Sequence, residues 1–356
     1  MQDATGRQDF RMPDLATITE RQRSALYPDL FSVALERENE LLYCKRRSGS
    51  GLVTLALRHS ALTDAQIQAL NEFRLDQYTL CGFYDLAYLQ ERQIERDPDL
   101  LELPPDTIHS VIGTSSGRIL AYSYIQPPQG TPSGAASTEH GPRMGDKDRP
   151  WFPCEVESFG PDIFSSLPAL RDVAVAQVAE ISILLRNQLE HGPSSLYAVA
   201  ESILAMALIQ ATPSNRLLAT VAYGGQEARQ ILYDLGIPGL YAPYAPVVYN
   251  ALPPHWSASA NIPGRFWPCV FSTEDFLRDF EHLRVLDSIL DLPAHELRRE
   301  LVQLRRSGRR IATRALVPEP GACDLVWITT PEAPGASQDA PLPPEQVHEA
   351  YTQYTN

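Results

Sequence analysis

A chain of 356 residues with 44% apolar side chains can bury a substantial core, as one large domain or two ordinary ones. Asp and Glu number 44 against 30 Lys and Arg, a formal charge of −14, which excludes a general polyanion binder; nucleic acid or an acidic carrier protein would need a local basic patch. The cysteines, Cys44, Cys81, Cys154, Cys269 and Cys323, lack CxxC spacing and are odd in number, so one thiol at least stays unpaired, and no metal is expected. The N-terminus has no apolar signal region and no apolar run reaches membrane-spanning length; a soluble, reduced, cytoplasmic protein is the expected class.

Residues 1–51 are polar and mixed and predict an N-terminal arm or cap, with KRRSGSG at 45–51 as a flexible joint. GLVTLALRHSAL predicts a first strand. Thr63 and Gln66 stand at capping-box spacing, and Ile67, Leu70 and Phe73 follow at helical intervals, so a helix starts there. HSVIGTSSGRILAYSYIQ reads as a hairpin about the turn signal SSG. The stretch 127–150 is too polar and too rich in Pro and Gly to pack, which predicts a long exposed loop.

VAEISILLRN at 178–187 reads as a central strand. SSLYAVAESILAMALIQA predicts an apolar helix with Leu196, Val199, Ala200, Ile203 and Ala207 on one face. NRLLATVAY predicts a strand, GGQEARQILYDLG a short helix, APVVYN a further strand, and Ser272 the start of a helix carrying Phe276, Phe280 and Leu283. HELRRELVQLRRSGRR continues with Leu297, Leu301 and Leu304 on one face and arginines on the other. The Pro-rich residues 331–356 predict a disordered tail.

The chemistry concentrates in the central strand. Glu180 and Ser182 are two positions apart, so they share a face. A carboxylate there is either a proton acceptor whose pKa burial raises, or a paired acid that only holds the sheet. Ser182 could orient a substrate or be one more small polar residue; no G-x-S-x-G elbow surrounds it, so covalent Ser catalysis is not expected. Arg74 lies four residues from both Leu70 and Tyr78, on an apolar helix face. It needs a carboxylate such as Glu180 or an acid of the following loop, a phosphate, or a route to water. Tyr78 and Tyr84 are wall or core aromatics. His59, His109 and His191 stand apart from other ligand types and read as ordinary surface or hairpin histidines. Arg298, Arg299, Arg305, Arg306, Arg309, Arg310 and Arg314 make either a solvated helix face or a docking surface for acyl carrier protein or tRNA.

The order strand, helix, hairpin, strand, helix, strand, helix, strand over about 52–250 resembles the GNAT acyltransferases, and within them the autoinducer synthases and N-acyl amino acid synthases. Arg74, Tyr78 and Tyr84 match the spacing of an Arg, a Phe and a Trp of that branch. Glu95, Asp97, Asp99 and Asp106 fall where it has carboxylates, EIS at 180–182 matches the start of its E-[CI]-S-R strand, and GGQEARQILYDLGIP matches its closing half. Two family arginines are replaced, one by Ile183 and one near Tyr124, which leaves S-adenosylmethionine and lactone formation outside what the resemblance implies.

The resemblance implies an α/β fold with a GNAT-like mixed central sheet flanked by helices. It would span 52–254, followed by a helical extension at 255–330. It further implies an N-acyltransferase with no permanently bound cofactor. Glu180 would be the base, Ser182 an orienter, and Arg74, Tyr78, Tyr84 and Tyr124 the acceptor side. Backbone amides at Leu184, Leu185, Arg186 and Asn187 would hold an acyl-phosphopantetheine donor, on acyl carrier protein or coenzyme A. An aminoacyl-tRNA-dependent transferase and a non-catalytic binding module on the same fold remain open alternatives.

Overall fold

The aliphatic runs of the N-terminal half become strands because their alternating side chains can be buried on both faces of a sheet. β1 (Leu41–Arg46), β2 (Leu52–Arg58), β3 (Ile108–Thr114), β4 (Ile119–Gln126) and β5 (Val178–Arg186) form a consecutive antiparallel series. This is a computed structural model, and it describes residues 13–31, 41–101, 103–128, 141–152 and 168–190. Further on it describes 198–209 in part, 219–225, 240–243, 254–257, 266–272, 286–303 in part, 312–315 and 325–329.

β6 (Ala219–Gly225) lies parallel to β5, beyond which β8 (Phe266–Ser272), β7 (Leu240–Pro243), β10 (Leu325–Thr329) and β9 (Ala312–Ala315) complete a mixed sheet in the order β1-β2-β3-β4-β5-β6-β8-β7-β10-β9. β5 is therefore interior, and the β5–β6 pair is the parallel one. That pairing runs only from Val178↔Ala219 to Ile181↔Ala222, although β5 continues to Arg186 and β6 to Gly225. The two strands part company just after Ile181.

Two layers cover the sheet. The capping box forms as expected: Thr63 accepts from Gln66 and the Gln66 side chain accepts from Thr63, opening α2 (Asp64–Leu80). Leu70, Phe73 and Tyr78 of α2 pack on Leu55, Val111, Tyr122 and Leu185 of the sheet. Burying each of these large side chains contributes roughly 1.5–3 kcal/mol. The opposite face holds Ala56, Ile108, Ile125 and Ala179 against Met206 and Ile209 of the helical residues at 198–209. The hairpin turn closes at Gly117, whose φ of +94° is a conformation that side-chain-bearing residues avoid.

Of the expected arm or cap, the described residues 13–31 form a cap. α1 (Leu15–Ser24) packs on α2, burying Ile18 and Gln22, with Arg21 Nε donating to Asp76 Oδ2 at 2.8 Å and Gln22 Nε2 to the same oxygen at 2.8 Å. Its polar composition is consumed by α2, whose outward side is polar too. Residues 45–51 are no joint: β1 and β2 pair across them, and Arg47 is buried among carboxylates. A Cβ on Gly49 would stand 1.7 Å from the Asp291 carbonyl oxygen, so the turn is pressed against the chain and needs glycine there.

Within the expected exposed loop, residues 142 and 145–148 are exposed as expected, but two side chains of 141–150 turn inward. Met144 and Arg149 are buried, Met144 N bonds Val173 O at 2.9 Å, and Arg149 Nε donates to Met144 O at 2.8 Å while its guanidinium lies 4.1 Å from the Trp151 ring centre. Carbonyls and an aromatic face satisfy the polar side chains, so a polar sequence packs.

Ser272 is the last residue of β8, the helix expected from it lies outside the described residues, and the extension contributes strands as well as helical turns. Arg299 is on an exposed helical turn, but Arg314 stands on β9, so the arginines do not share one helix. Leu196, Val199, Ile203, Ala207, His191, the helix expected after Gly225, the strand at 245–250, the segment with Phe276, Phe280 and Leu283, Leu301, Leu304, Arg298, Arg305, Arg306, Arg309, Arg310 and the tail lie outside the described residues. No described helix is long and apolar enough to cross a membrane.

Candidate functional site

Strand register assembles the site. Directly paired residues share a face, and Leu57↔His109↔Tyr124↔Ser182 form one row across β2, β3, β4 and β5. Leu55↔Val111↔Tyr122↔Leu185 form a second row and Gln126↔Glu180 a third on the same face. This is the face that α2 covers. Glu180 is 1% exposed and Ser182 5%, and Ser182 hydrogen-bonds the Tyr124 hydroxyl. Between Tyr122 and Tyr124 the β4–β5 register shifts, which places a bulge in β5 at 183–184 and re-aims the strand where it separates from β6.

Above these rows Arg74 hangs from α2. Its Nε donates to Asp97 Oδ2 at 2.7 Å, and its guanidinium lies 5.1, 5.4 and 5.1 Å from the ring centres of Tyr78, Tyr122 and Tyr124. Burial opposes the charge, but Asp97 and the three tyrosines outweigh it and hold the guanidinium protonated. Asp97 is itself fixed: its amide donates to Asn71 Oδ1 at 2.9 Å, and its Oδ1 accepts from the amides of Asp99 at 2.9 Å and Leu100 at 3.2 Å.

Tyr84 bridges the loop carboxylates, donating toward Asp97 Oδ1 at 3.1 Å and Asp99 Oδ2 at 3.0 Å. Burial first, then Asp97 and Asp99, push its phenol far above the usual tyrosine range, so it stays a donor. Residues 255–257 fasten onto the same spot: Asp85 N bonds His255 O at 2.9 Å, Ser257 N bonds Phe83 O at 2.7 Å, and Trp256 packs on Tyr78, Phe83 and Tyr84. His255 Nε2 sits 3.0 Å from Asp99 Oδ1. Burial works to raise the Asp99 pKa, but His255, Arg74 and Tyr84 outweigh it and hold that carboxyl below the usual range.

The structure thus brings Arg74, Tyr78, Tyr84, Tyr124, Glu180 and Ser182 to one side of the sheet, with Asp97 as the partner Arg74 needs. Asn187 is different. Its amide donates to Leu120 O at 2.9 Å and its Nδ2 to Ile119 O at 2.9 Å, while Gln188 N bonds Gln77 Oε1 at 2.7 Å, and Leu189 N and Glu190 N bond Asn187. Asn187 is a plug that closes the end of β5, and these amides are not open to a donor. Leu185 faces the core and Arg186 pairs with Ala121. Of the four expected donor residues, Leu184 stands at the bulge where β5 leaves β6.

Sequence reasoning missed Tyr122, Asn71, His255 and Trp256, and read His59 and His109 as unconnected. His109 Nδ1 lies 2.7 Å from Tyr122 Oη and its Nε2 3.0 Å from His59 Nδ1. The Y-S-Y alternation in AYSYIQ was the available signal for Tyr122. The pairing of residues 50 positions apart had none.

No family model and no curated protein matches the chain. Among solved structures, TofI in an apo form is similar over 65% of this chain and 95% of its own, at 14% identity and a TM-score of 0.38. The AHL synthase LasI is similar over 63% and 91%, at 10% identity and a TM-score of 0.37. FeeM, an N-acyl amino acid synthase from uncultured soil microbes, is similar over 63% and 94%, at 11% identity and a TM-score of 0.33. TM-scores below 0.5 carry no chemistry across, so the functional reading rests on strand register and side chains.

Proposed function

We propose that this chain is an N-acyltransferase that moves an acyl group from a phosphopantetheine thioester, on acyl carrier protein or coenzyme A, to the amine of a small amino-acid-like acceptor. The observation that carries the reading is the buried pair Glu180 and Ser182 on the interior strand at the point where β5 and β6 separate. Beyond Ile181 the β6-facing edge of β5 has no partner in that ladder, and an extended amide-bearing arm can add there as a strand would. On this reading the thioester would lie beside the bulge at 183–184, on the face that bears Glu180, which the register shift there supports.

Glu180 then accepts a proton from the acceptor nitrogen, directly or through water, as nitrogen attacks the thioester carbonyl. Ser182, tied to Tyr124, orients the reacting groups, and backbone amides freed by the bulge polarise the carbonyl. Arg74, Tyr78, Tyr84 and Tyr124 wall the acceptor side. The donor is a cosubstrate, and no permanently bound cofactor enters the reading. The domain would run over 52–254, with the extension reaching the acceptor wall through His255 and Trp256.

The test is direct. Incubating the protein with acyl-coenzyme A or acyl carrier protein and a panel of amines, with free thiol and amide product followed by mass spectrometry, should give product that Glu180→Gln abolishes. Thiol release without amide, or no turnover with any donor, would leave a binding module as the better description. Product made only from charged tRNA would favour the aminoacyl transferase.

A further inference from the structure

We propose that His59, His109 and Tyr122 form a proton path between the covered face of the candidate site and solvent. It rests on the acyltransferase reading, for which it supplies a missing step. His109 is fully buried, yet both its ring nitrogens are engaged, Nδ1 with Tyr122 Oη at 2.7 Å and Nε2 with His59 Nδ1 at 3.0 Å. His59 follows β2 at the sheet margin and is half-buried, so the chain of contacts runs from the core outward.

The hydrogen-bond roles have one consistent direction. The Arg74 guanidinium, which can only donate, lies over the Tyr122 ring at 5.4 Å and turns the phenol hydrogen away from itself. Tyr122 therefore gives its own hydrogen to His109 Nδ1. A neutral imidazole that accepts at one nitrogen donates at the other, so His109 Nε2–H points to His59 Nδ1, and His59 Nε2–H points away from the core. The titratable or charged groups that face His109 are His59 after β2, Tyr122 and Tyr124 from β4, and Arg74 from α2. Burial, then His59 and Arg74, keep His109 uncharged at rest, which is the state a shuttle needs.

The stoichiometry calls for such a path. An acceptor entering as an ammonium loses two protons as the C–N bond forms and the C–S bond breaks. One goes through Glu180 to the departing thiolate. The other must reach water from beneath α2. It is taken up at Tyr122 oxygen as Tyr122 releases its own proton to His109 Nδ1. His109 then passes its Nε2 proton to His59 Nδ1, and His59 passes its Nε2 proton to solvent. Return of the rings to the starting tautomers resets the path. His59 and His109 are positioning residues here, since neither touches the substrate.

Two measurements test this. Nitrogen-15 NMR of the resting, histidine-labelled protein between pH 5 and 8, a window of roughly 1.5 units about the ordinary histidine value, should find His109 neutral, protonated at Nε2 and coupled to His59. A His109 that titrates as a free imidazole, or shows no coupling to His59, overturns the path whether or not acyl transfer is found. In the acylation assay, His109→Gln should lower turnover by about 10²-fold with little change in KM, most strongly at low pH where the acceptor is ammonium. His59→Ala, at a half-exposed position that tolerates change, should lose turnover and regain it with added imidazole. Folded variants of both residues that keep the parent turnover and pH profile overturn the proposal. Failure of the parent protein to acylate any amine overturns the acyltransferase reading instead, and the NMR result then stands by itself on the path.

Discussion

Arg74 Nε meets Asp97 Oδ2 at 2.7 Å with both side chains out of water, so one ion pair ties α2 to the loop before the hairpin directly above the Tyr122–Tyr124 strand. Removing one member of such a pair leaves the other charge buried alone, which costs about 3–5 kcal/mol. Arg74→Met should lose that much in urea denaturation. Adding Asp97→Asn should restore a large part of it, because Asn is neutral but keeps the oxygen that caps the Asp99 and Leu100 amides. A double variant no more stable than Arg74→Met would show that the tyrosine contacts, not the ion pair, carry the stability.

Glu180→Gln preserves shape and removes the proton acceptor. Turnover should fall by about 10²–10⁴-fold with the melting temperature nearly unchanged. A sharp fall in melting temperature with normal activity per folded molecule would make Glu180 a structural acid.

The strand, the hairpin, the α2 cap and the Glu180–Ser182 face were legible because they are local: alternation of period two, a capping box, a Gly at the turn. Arg74 was legible as an unsatisfied charge on an apolar face, and the acidic loop held its partner. What stayed hidden depends on register between distant segments. Nothing near His59 points to His109, and nothing in KRRSGSG says that Arg47 is buried by a helix about 150 residues later; a charged side chain reads as exposed until its partner is in place. Asn187 misled for a related reason: amides after a strand are open only if no side chain turns back to take them, and Gln77, 110 residues earlier, does.

Stability should fall on acidification well before the carboxylates titrate. His109 and His59 both have pKa values pushed down by burial in the folded protein. Below about pH 6.5 the unfolded chain binds protons that the folded protein refuses, so the contribution is complete above that pH and lost as pH falls, by up to about 1.4 kcal/mol per pH unit for the fully buried His109, with solvent screening reducing the share of the half-exposed His59. Denaturation midpoints between pH 7 and 5 should show the slope, and His109→Gln should reduce it. An unchanged slope would mean that His109 is charged in the folded protein.

Asn187→Ala should destabilise without touching donor binding. It strips an acceptor from the Leu189 amide and a donor from Ile119 O, each unpaired buried group costing about 1–3 kcal/mol. KM for the acyl donor should stay near the parent value. A selective rise in that KM would return Asn187 to the donor site.

The second buried ion cluster makes a prediction about distance. Arg47 Nε donates to Glu201 Oε2 at 3.0 Å, its Nη1 donates to the Asp287 carbonyl at 3.0 Å, and Thr54 Oγ1 donates to Glu201 Oε1 at 3.0 Å. Thr54 alternates with Leu55, whose row carries Tyr122, so this cluster lies on the face of the sheet opposite Arg74. It pins the β1–β2 turn, the helical residues about 201 and the segment 287–291 to one another. Arg47→Met leaves Glu201 buried without its counter-ion and should cost about 3–5 kcal/mol in denaturation. Turnover and KM per folded molecule should not move, because the sheet stands between the cluster and Glu180. A change in KM at full folding would mean that the two faces are coupled and that the extension acts on the site from behind.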